Sequence, residues 1–160
     1  MATKGKPKGL APKGATLTDN RRAAFNYEIL ERIEAGIVLT GSEVKSIRDS
    51  KISLAESYAS FKKGELFLEG AHIAEYVQAH ARNHEAIRPR KLLLHRKELD
   101  KLEAAVAQDG LTIVPLAIYL KDGRIKVELG LARGKKVHDK RATIKEREQT
   151  REMARAMRER

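Results

Sequence analysis

Residues 111–131 read LTIVPLAIYLKDGRIKVELGL, and this stretch decides the fold of the chain. Its first ten residues are apolar on both alternating phases, which is typical of a central strand, and Pro115 predicts a bulge or an edge because proline has no N–H to donate. Asp122-Gly123 predicts a tight turn into a second strand, in which apolar residues alternate with Lys126, Glu128 and Gly130. We therefore predict a long hairpin with one polar face.

Working outward from this hairpin, the pattern predicts further short strands and two helices. Residues 57–62 and 66–71 flank Lys63-Gly64-Glu65 and indicate a second hairpin, and residues 72–86 indicate a strand followed by a loop. Residues 25–39 alternate as one bent strand or two, although a helix also fits part of them. The spacing predicts helices over 96–109 and over 43–48, the latter capped by Ser42. These elements favour an α+β, mainly β chain, with a small antiparallel β-barrel and flanking helices.

The charge of the chain is distributed unevenly. Its formal net charge is +11, and residues 1–22 carry +5, residues 133–160 carry +6, and the segment between them is neutral. The glycine-, proline- and lysine-rich arm 1–17 predicts disorder. Residues 133–160 are rich in helix formers but poor in apolar side chains, so we expect a basic tail that is disordered when free and helical against a partner. The expected organisation is arm 1–17, a β-barrel domain over 18–132 and tail 133–160.

Charge concentrated on mobile ends attracts polyanions over long range, so nucleic acid is the expected partner. The densest basic run, residues 133–141, joins the last strand to the tail, and a solvated linker is its alternative interpretation. His138 lies within this run, where an imidazole stacks on a base or donates to phosphate, or else is simply exposed. Aromatic residues are 4% of the chain, which disfavours base stacking on the sheet and favours recognition of a folded RNA by shape and phosphate.

The sequence contains no recognisable catalytic motif, and we expect no enzyme activity, cofactor or metal. Cysteine is absent, and neither a phosphate-binding glycine loop nor a nucleophile elbow occurs. Glu28 and Glu34 share one strand face and Glu31 the other, so paired-carboxylate catalysis is not indicated. His80 and His84 lack further placed ligands for zinc, and surface or hydrogen-bonded histidine is the expected interpretation. No apolar run suggests a membrane span or a signal peptide, so a cytoplasmic location is expected.

Five segments in order carry a resemblance to a known family. They are Asn20-Arg21-Arg22 with Tyr27, Glu34-Ala35-Gly36, residues 41–46 (GSEVKS), residues 90–95 (RKLLLH) and residues 134–148, which include Gly134-Lys135-Lys136 and His138-Asp139-Lys140-Arg141. Over about residues 18–148 the chain resembles the small protein B (SmpB) family, the tmRNA-binding proteins of bacterial trans-translation. Ser42 and the loop around Arg88 depart from the family pattern.

The resemblance implies an OB-like β-barrel that binds the tRNA-like domain of tmRNA, with a tail that enters the vacant mRNA channel of a stalled ribosome. It implies elongation factor Tu as a partner together with tmRNA. The implied tmRNA-binding residues are Asn20, Arg21, Arg22, Glu34, Arg90, Lys91, Leu93, Arg133, Lys135 and Lys136. Those implied at the decoding centre and mRNA channel are His138, Asp139, Lys140, Arg141, Lys145, Arg147, Arg151 and Met157. A general ribosomal or RNA-chaperone protein with basic arms, and an RNA-processing enzyme, are the alternative hypotheses.

Overall fold

The computed structural model describes residues 15–77, 83–135 and 137–158, and the strands of the long hairpin pair with each other from Thr112 to Ala132. In chain order the elements are β1 (Thr16–Asp19), α1 (Arg21–Asn26), β2 (Tyr27–Ile37), α2 (Gly41–Arg48), β3 (Ile52–Ser53), β4 (Tyr58–Lys62), β5 (Glu65–Glu69), β6 (His72–Ile73), β7 (Arg90–Leu93), α3 (Arg96–Asp109), β8 (Thr112–Lys121), β9 (Arg124–Gly134) and α4 (Val137–Arg158).

Seven of the strands form one antiparallel sheet in the order β1-β8-β4-β5-β7-β2-β9. Because β8 pairs with β9 as well as with β4, the pairings from β8 round to β9 form a continuous ring of six strands, and β1 lies beside the far part of β8. The short strands β3 and β6 pair separately. The predicted mainly β, α+β class is confirmed.

Both predicted hairpins are present, with turns that need left-handed backbone. Lys63 and Gly64 have φ of 51° and 76°, and Asp122 and Gly123 have φ of 51° and 75°, as a two-residue type I′ turn requires. The register of β8 against β9 shifts between Pro115 and Ala117, which confirms the predicted bulge. The expected tail begins at Arg133, but β9 continues to Gly134 because that residue pairs with Tyr27 at the start of β2.

A second bulge, in β2 between Ile29 and Glu31, reverses the phase of that strand. Before it, Ile29 packs with Ala23 of α1 in a small cluster on the outer side of the sheet; after it, Ile33 packs against the main core. Glu28 and Glu34 therefore lie on opposite faces, and the prediction that they share one face was wrong. The strand pattern also concealed α1, a helix of only six residues.

The main core fills the interior of the ring and is closed by α2 and α3. Its largest buried side chains include Ile47 of α2, Leu102 of α3 and Leu129 of β9. Helix α3 matches the predicted bounds. Helix α2 begins one residue before the expected cap, because the capping residue is Thr40, whose hydroxyl accepts from the Glu43 N–H while the Glu43 carboxylate accepts from the Thr40 N–H.

The C-terminal segment is a single helix of 22 residues, α4, which spans about 33 Å at 1.5 Å per residue. Its described side chains, Arg141 and residues 144–158, are all exposed. The structure thus has a helix where we expected a tail that is disordered when free. The sequence lacks glycine and proline after Gly134 and is rich in alanine, arginine and glutamate, which favour helix.

Candidate nucleic-acid interface

A groove opens where β2 and β7 meet the turn between β8 and β9. Two adjoining depressions of about 440 and 330 Å³ share Gly36, Leu93 and Lys126 in their lining. The cations around these shared residues are Arg48 of α2, Lys121 of β8 and Arg124 of β9. We call this surface the end groove. Apolar side chains below several cations suit an RNA strand, whose phosphates need cations and whose sugars and bases pack on apolar surface.

Glu34 is a carboxylate in the lining of the end groove, and its partners hold it firmly. The Tyr119 hydroxyl donates to Glu34 Oε2 at 2.6 Å, and the Lys121 ammonium donates to Oε1 at 3.1 Å and to Oε2 at 3.2 Å. Partial burial alone would raise the pKa of Glu34, but the hydrogen bonds from Tyr119 and Lys121 and the charges of Lys121 and Lys126 lower it below the ordinary value. Burial and the Glu34 carboxylate raise the pKa of Tyr119, which therefore stays a neutral donor.

Strand β7 presents Leu93 to the groove and Lys91 nearby. The Leu93 side chain is half exposed, and a Cβ at Gly36 would lie 3.3 Å from the Leu93 Cβ, so glycine leaves room for that leucine. Lys91 is partly exposed and pairs with Glu65 at 3.0 Å. These two residues of the predicted RNA-binding set are available to a ligand.

Arg90, by contrast, lies on the other side of β7 and is completely buried. It pairs with the buried Glu43 carboxylate and donates to the Ala71 carbonyl oxygen at 2.8 Å, while Arg88 pairs with the same carboxylate from the loop before β7. Burial raises the pKa of Glu43, but the Thr40 N–H and the two guanidinium groups outweigh it and lower that pKa. This buried ion-pair centre joins α2, β7 and the loop before β7, so Arg90 supports the groove from within.

A second cationic surface lies at the opposite end of β2. Arg21 and Arg22 are exposed on α1, Arg133 is exposed at the end of β9, and Lys135 follows it. The Lys135 N–H donates to the Asn26 carbonyl oxygen at 3.0 Å and its ammonium to the Ala24 carbonyl oxygen at 3.2 Å, which places Lys135 against α1. We call Arg21, Arg22, Arg133 and Lys135 the arm cluster.

Asn20 lies beneath the arm cluster and is buried. Its side-chain N–H groups donate to the carbonyl oxygens of Pro115 at 2.8 Å and Leu54 at 3.2 Å, and its side-chain oxygen accepts from the Ala23 N–H at 3.3 Å. The side chain therefore caps α1 and fastens it to β8. Its hydrogen bonds serve to hold α1 in place.

Helix α4 begins beside the arm cluster. The Arg147 guanidinium lies 5.9 Å from the centroid of the Phe25 ring on α1, within the range of a cation–π contact. Exposed Arg141, Lys145, Arg151 and Met157 lie along α4. His138, Asp139 and Lys140 lie in its first turn, where only the backbone is described, and Lys136 and residues 1–14 lie outside the described residues.

The structure thus distributes the predicted tmRNA-binding residues over two surfaces. Glu34 and Leu93 line the end groove, with Lys91 nearby, whereas Asn20, Arg21, Arg22, Arg133 and Lys135 lie at the arm cluster. The nine steps along β2 from Tyr27 to Gly36, at about 3.3 Å each, put about 30 Å between the two surfaces. Sequence reasoning missed Arg48, Tyr119, Lys121, Arg124 and Lys126. The position of Lys126 on the polar phase of β9 was a usable signal, but Tyr119 is hidden within an apolar run.

His84 is buried between two hydrogen-bond partners. Its Nε2 lies 2.9 Å from the Ile73 carbonyl oxygen and its Nδ1 lies 2.8 Å from the Ser42 hydroxyl, so Nε2 donates and the histidine ties its loop to α2. The other member of the predicted pair, His80, lies outside the described residues.

Within residues 15–77, 83–135 and 137–158, no three histidine, aspartate or glutamate side chains come together as a metal site would need. None of the helices in the described ranges is both long and apolar enough to cross a membrane.

The fold and these surfaces define an antiparallel β protein with a cationic surface at each end of one strand. Comparison with known proteins is specific: the family described as SmpB protein matches residues 17–159. The chain belongs to the SmpB family.

Close relatives and a solved structure agree with this assignment. The "SsrA-binding protein" of Rhodopseudomonas palustris is 55% identical over 145 residues, which is 90% of this chain and 92% of the relative. The "SsrA-binding protein" of Brucella anthropi is 52% identical over 155 residues, 96% of this chain and 98% of the relative. A chain from the structure described as "tmRNA-SmpB: a journey to the center of the bacterial ribosome" superposes with a TM-score of 0.63 at 53% identity, covering 75% of this chain and 85% of that chain.

Proposed function

We propose that this protein binds the tRNA-like domain of tmRNA and delivers it to stalled ribosomes for trans-translation, as a non-catalytic adaptor in the cytoplasm. The observation that carries the proposal is 55% identity over 90% of the chain to a protein named for SsrA binding. The similarity to a chain of a tmRNA-SmpB ribosome structure supports the ribosome as the second partner. Elongation factor Tu, bound with tmRNA, is the third proposed partner.

The ring of six strands serves as an OB-like barrel that holds two RNA-binding surfaces at a fixed distance. In the end groove Lys91, Leu93 and Glu34 contact the RNA, and Arg48, Lys121, Arg124 and Lys126 neutralise phosphates. At the arm cluster Arg21, Arg22, Arg133 and Lys135, with Lys136, contact the same RNA. Asn20 and Arg90 act by holding α1 and β7 in position, because both side chains are buried and hydrogen-bonded to the protein.

The tail tests whether the mRNA channel is empty. Helix α4 carries seven lysines and arginines against four acids, and its described side chains are exposed, so it is available to a phosphate-lined channel. An intact mRNA excludes it by occupying the same space. His138, Asp139, Lys140 and Arg141 at the start of α4 would meet the decoding centre, while Lys145, Arg147, Arg151 and Met157 would lie along the channel. Counterion release on binding would favour the helix in that setting.

A truncation tests whether the two activities are separable. A chain that ends after Lys136 keeps both RNA surfaces and the two Lys135 hydrogen bonds but lacks α4. We expect its affinity for the tRNA-like domain to stay within about threefold of the full chain, since α4 touches the body mainly at α1, while tagging of stalled products on ribosomes is abolished. Loss of RNA binding and rescue together would contradict the two-surface proposal, and a full chain that does not bind this RNA would overturn the function itself.

A further inference from the structure

Tyr119 is a polar side chain that the sequence concealed and that the proposed contacts do not use. The whole residue is inaccessible to solvent, yet its hydroxyl lies 2.6 Å from Glu34 Oε2 in the lining of the end groove. Burying a tyrosine hydroxyl costs free energy unless the hydroxyl forms a hydrogen bond, so its partner matters. Its partner here is a carboxylate whose side chain is 20% exposed to the groove.

The two donors leave a defined part of the Glu34 carboxylate free to interact with a ligand. Such a group has about four acceptor directions, and the contacts from Tyr119 and Lys121 account for three of them. A carboxylate repels phosphate oxygens, so what it accepts from RNA is an uncharged N–H or O–H group. In RNA these donors are the amino and imino groups of bases and the ribose 2′-hydroxyl.

We propose that Tyr119 is a positioning residue for RNA recognition: its buried hydroxyl, with Lys121, fixes the Glu34 carboxylate as an acceptor for one neutral donor of the bound RNA. This inference rests on the proposed binding of RNA at the end groove. In this arrangement the role of Glu34 differs from that of the surrounding lysines and arginines, which bind RNA phosphates whatever the RNA sequence. Glu34 therefore contributes specificity, and the surrounding cations contribute affinity.

The test variant is Tyr119→Phe, which keeps the ring and removes the hydroxyl. We expect affinity for the tRNA-like domain to fall about tenfold with no change in the slope of log affinity against log salt, because no phosphate contact is lost. Lys126→Ala should instead lower that slope by roughly 0.7–0.9. The control is Ser60→Ala, which removes a hydroxyl-to-carboxylate hydrogen bond of 2.7 Å from Ser60 to Glu69 on the β4–β5 hairpin and should leave RNA binding unchanged.

A direct readout of positioning is the pKa of Glu34, measured by NMR on the carboxyl carbon. Removing the Tyr119 donor should raise that pKa, whereas a merely structural role would leave it unmoved. If Tyr119→Phe unfolds the protein, Glu34→Gln supplies the same test of affinity and salt slope. Unchanged affinity, or a slope reduced as in Lys126→Ala, would overturn the inference even though the wild type binds; a wild type that fails to bind would instead refute the proposed function.

The two sources of the donor are separated by changing the RNA. Single 2′-deoxy substitutions remove ribose donors, and inosine in place of guanosine removes the exocyclic amino group, both in the loops of the tRNA-like domain. The Glu34 partner is the position whose substitution weakens the wild type but not Glu34→Gln. If every substitution affects both proteins equally, Glu34 accepts no donor from this RNA and the inference fails.

Discussion

Glu43 illustrates how one buried residue organises the strand beside the end groove without reaching the groove itself. Its carboxylate is inaccessible to solvent and receives the guanidinium groups of Arg88 and Arg90, which come from a segment more than forty residues away in the chain. Removing one member of such a centre leaves the opposite charge buried and uncompensated, which costs more than the intact pair contributes. The position of β7, and with it Leu93, therefore depends on Glu43.

We predict that Glu43→Gln lowers the free energy of unfolding by about 3 kcal/mol at pH 7. Because the pKa of Glu43 is lower in the folded state than its ordinary value of 4.5, its stabilisation is fully present above that value and is lost as pH falls through the folded pKa. The difference in free energy of unfolding between wild type and variant should therefore become smaller as pH falls below about 4.5. Urea unfolding from about pH 3 to about pH 7 measures it. Glu65→Gln, which removes a solvent-exposed pair with Lys91, serves as the control and should cost less than about 1 kcal/mol. A difference that stays constant with pH would contradict the role assigned to the Glu43 charge.

Neighbours in sequence acquire opposite roles, and this limits what residue-level reasoning can recover. Arg90 and Lys91 read as one basic pair, but alternation along β7 buries the first against Glu43 and leaves the second at the surface. Which phase points inward depends on pairing with β2 and β5, which the local pattern does not contain. The resemblance proposes a region for the site, and only tertiary structure separates residues exposed to a ligand from those that support them.

At the level of elements, the sequence predicted what local signals determine. Helix α3 and the turn between β8 and β9 carry strong local signals, in the helical spacing of 96–109 and in Asp122-Gly123, and both were predicted correctly. The other hairpin was also predicted, but its turn is one residue shorter than expected because Glu65 already belongs to β5. Helix α1 was missed because six residues give too little periodicity, although Asn20 is a good N-cap residue. The cap of α2 was placed on Ser42, whereas Thr40 with Glu43 three residues on matches the capping-box pattern.

Helix α4 is the element whose state in solution most affects the proposed mechanism. Its described side chains are exposed, so its helical order depends on local propensity more than on packing against the body. Its described ring contact with the body, Arg147 over Phe25, lies in the first half of the helix. The second half should therefore respond to substitution without affecting the sheet.

We predict that Ala154→Pro disrupts the end of α4 and leaves the body intact. A proline inside a helix costs about 3 kcal/mol and a glycine about 1 kcal/mol. The magnitude of the helical circular-dichroism signal at about 222 nm should therefore decrease in the order Ala, Gly, Pro at this position. The thermal midpoint of the body should not change, and tagging activity on stalled ribosomes should decrease in the same order. A lower midpoint would show that the end of α4 stabilises the body, and unchanged tagging would argue against a helical tail in the channel.

At the scale of the whole molecule, the ring of strands acts as a spacer between two cationic surfaces. Strand β2 runs from Tyr27, paired beside the arm cluster, to Gly36, paired with Lys126 in the end groove, which is about 30 Å. Each surface offers only a few cations among the described residues, so binding at both together is stronger than at either alone. A folded RNA can reach both surfaces across that distance more readily than a short single-stranded RNA can. The neutral charge of the body agrees with this arrangement, since attraction is concentrated at defined places.

If one RNA spans both surfaces, Lys126→Ala and Arg22→Ala should weaken binding of the tRNA-like domain independently. The two side chains share no partner and lie far beyond the roughly 10 Å over which substitutions usually couple, so their effects on binding free energy should add within about 0.5 kcal/mol. Each substitution should lower the salt slope by roughly 0.7–0.9, and the double variant by twice that amount. Filter-binding measurements from about 50 to about 200 mM salt give both the affinity and its salt slope. If Arg22→Ala leaves affinity and slope unchanged while Lys126→Ala reduces both, the RNA is held at the end groove alone, and the arm cluster is then free to contact the ribosome beside the base of α4.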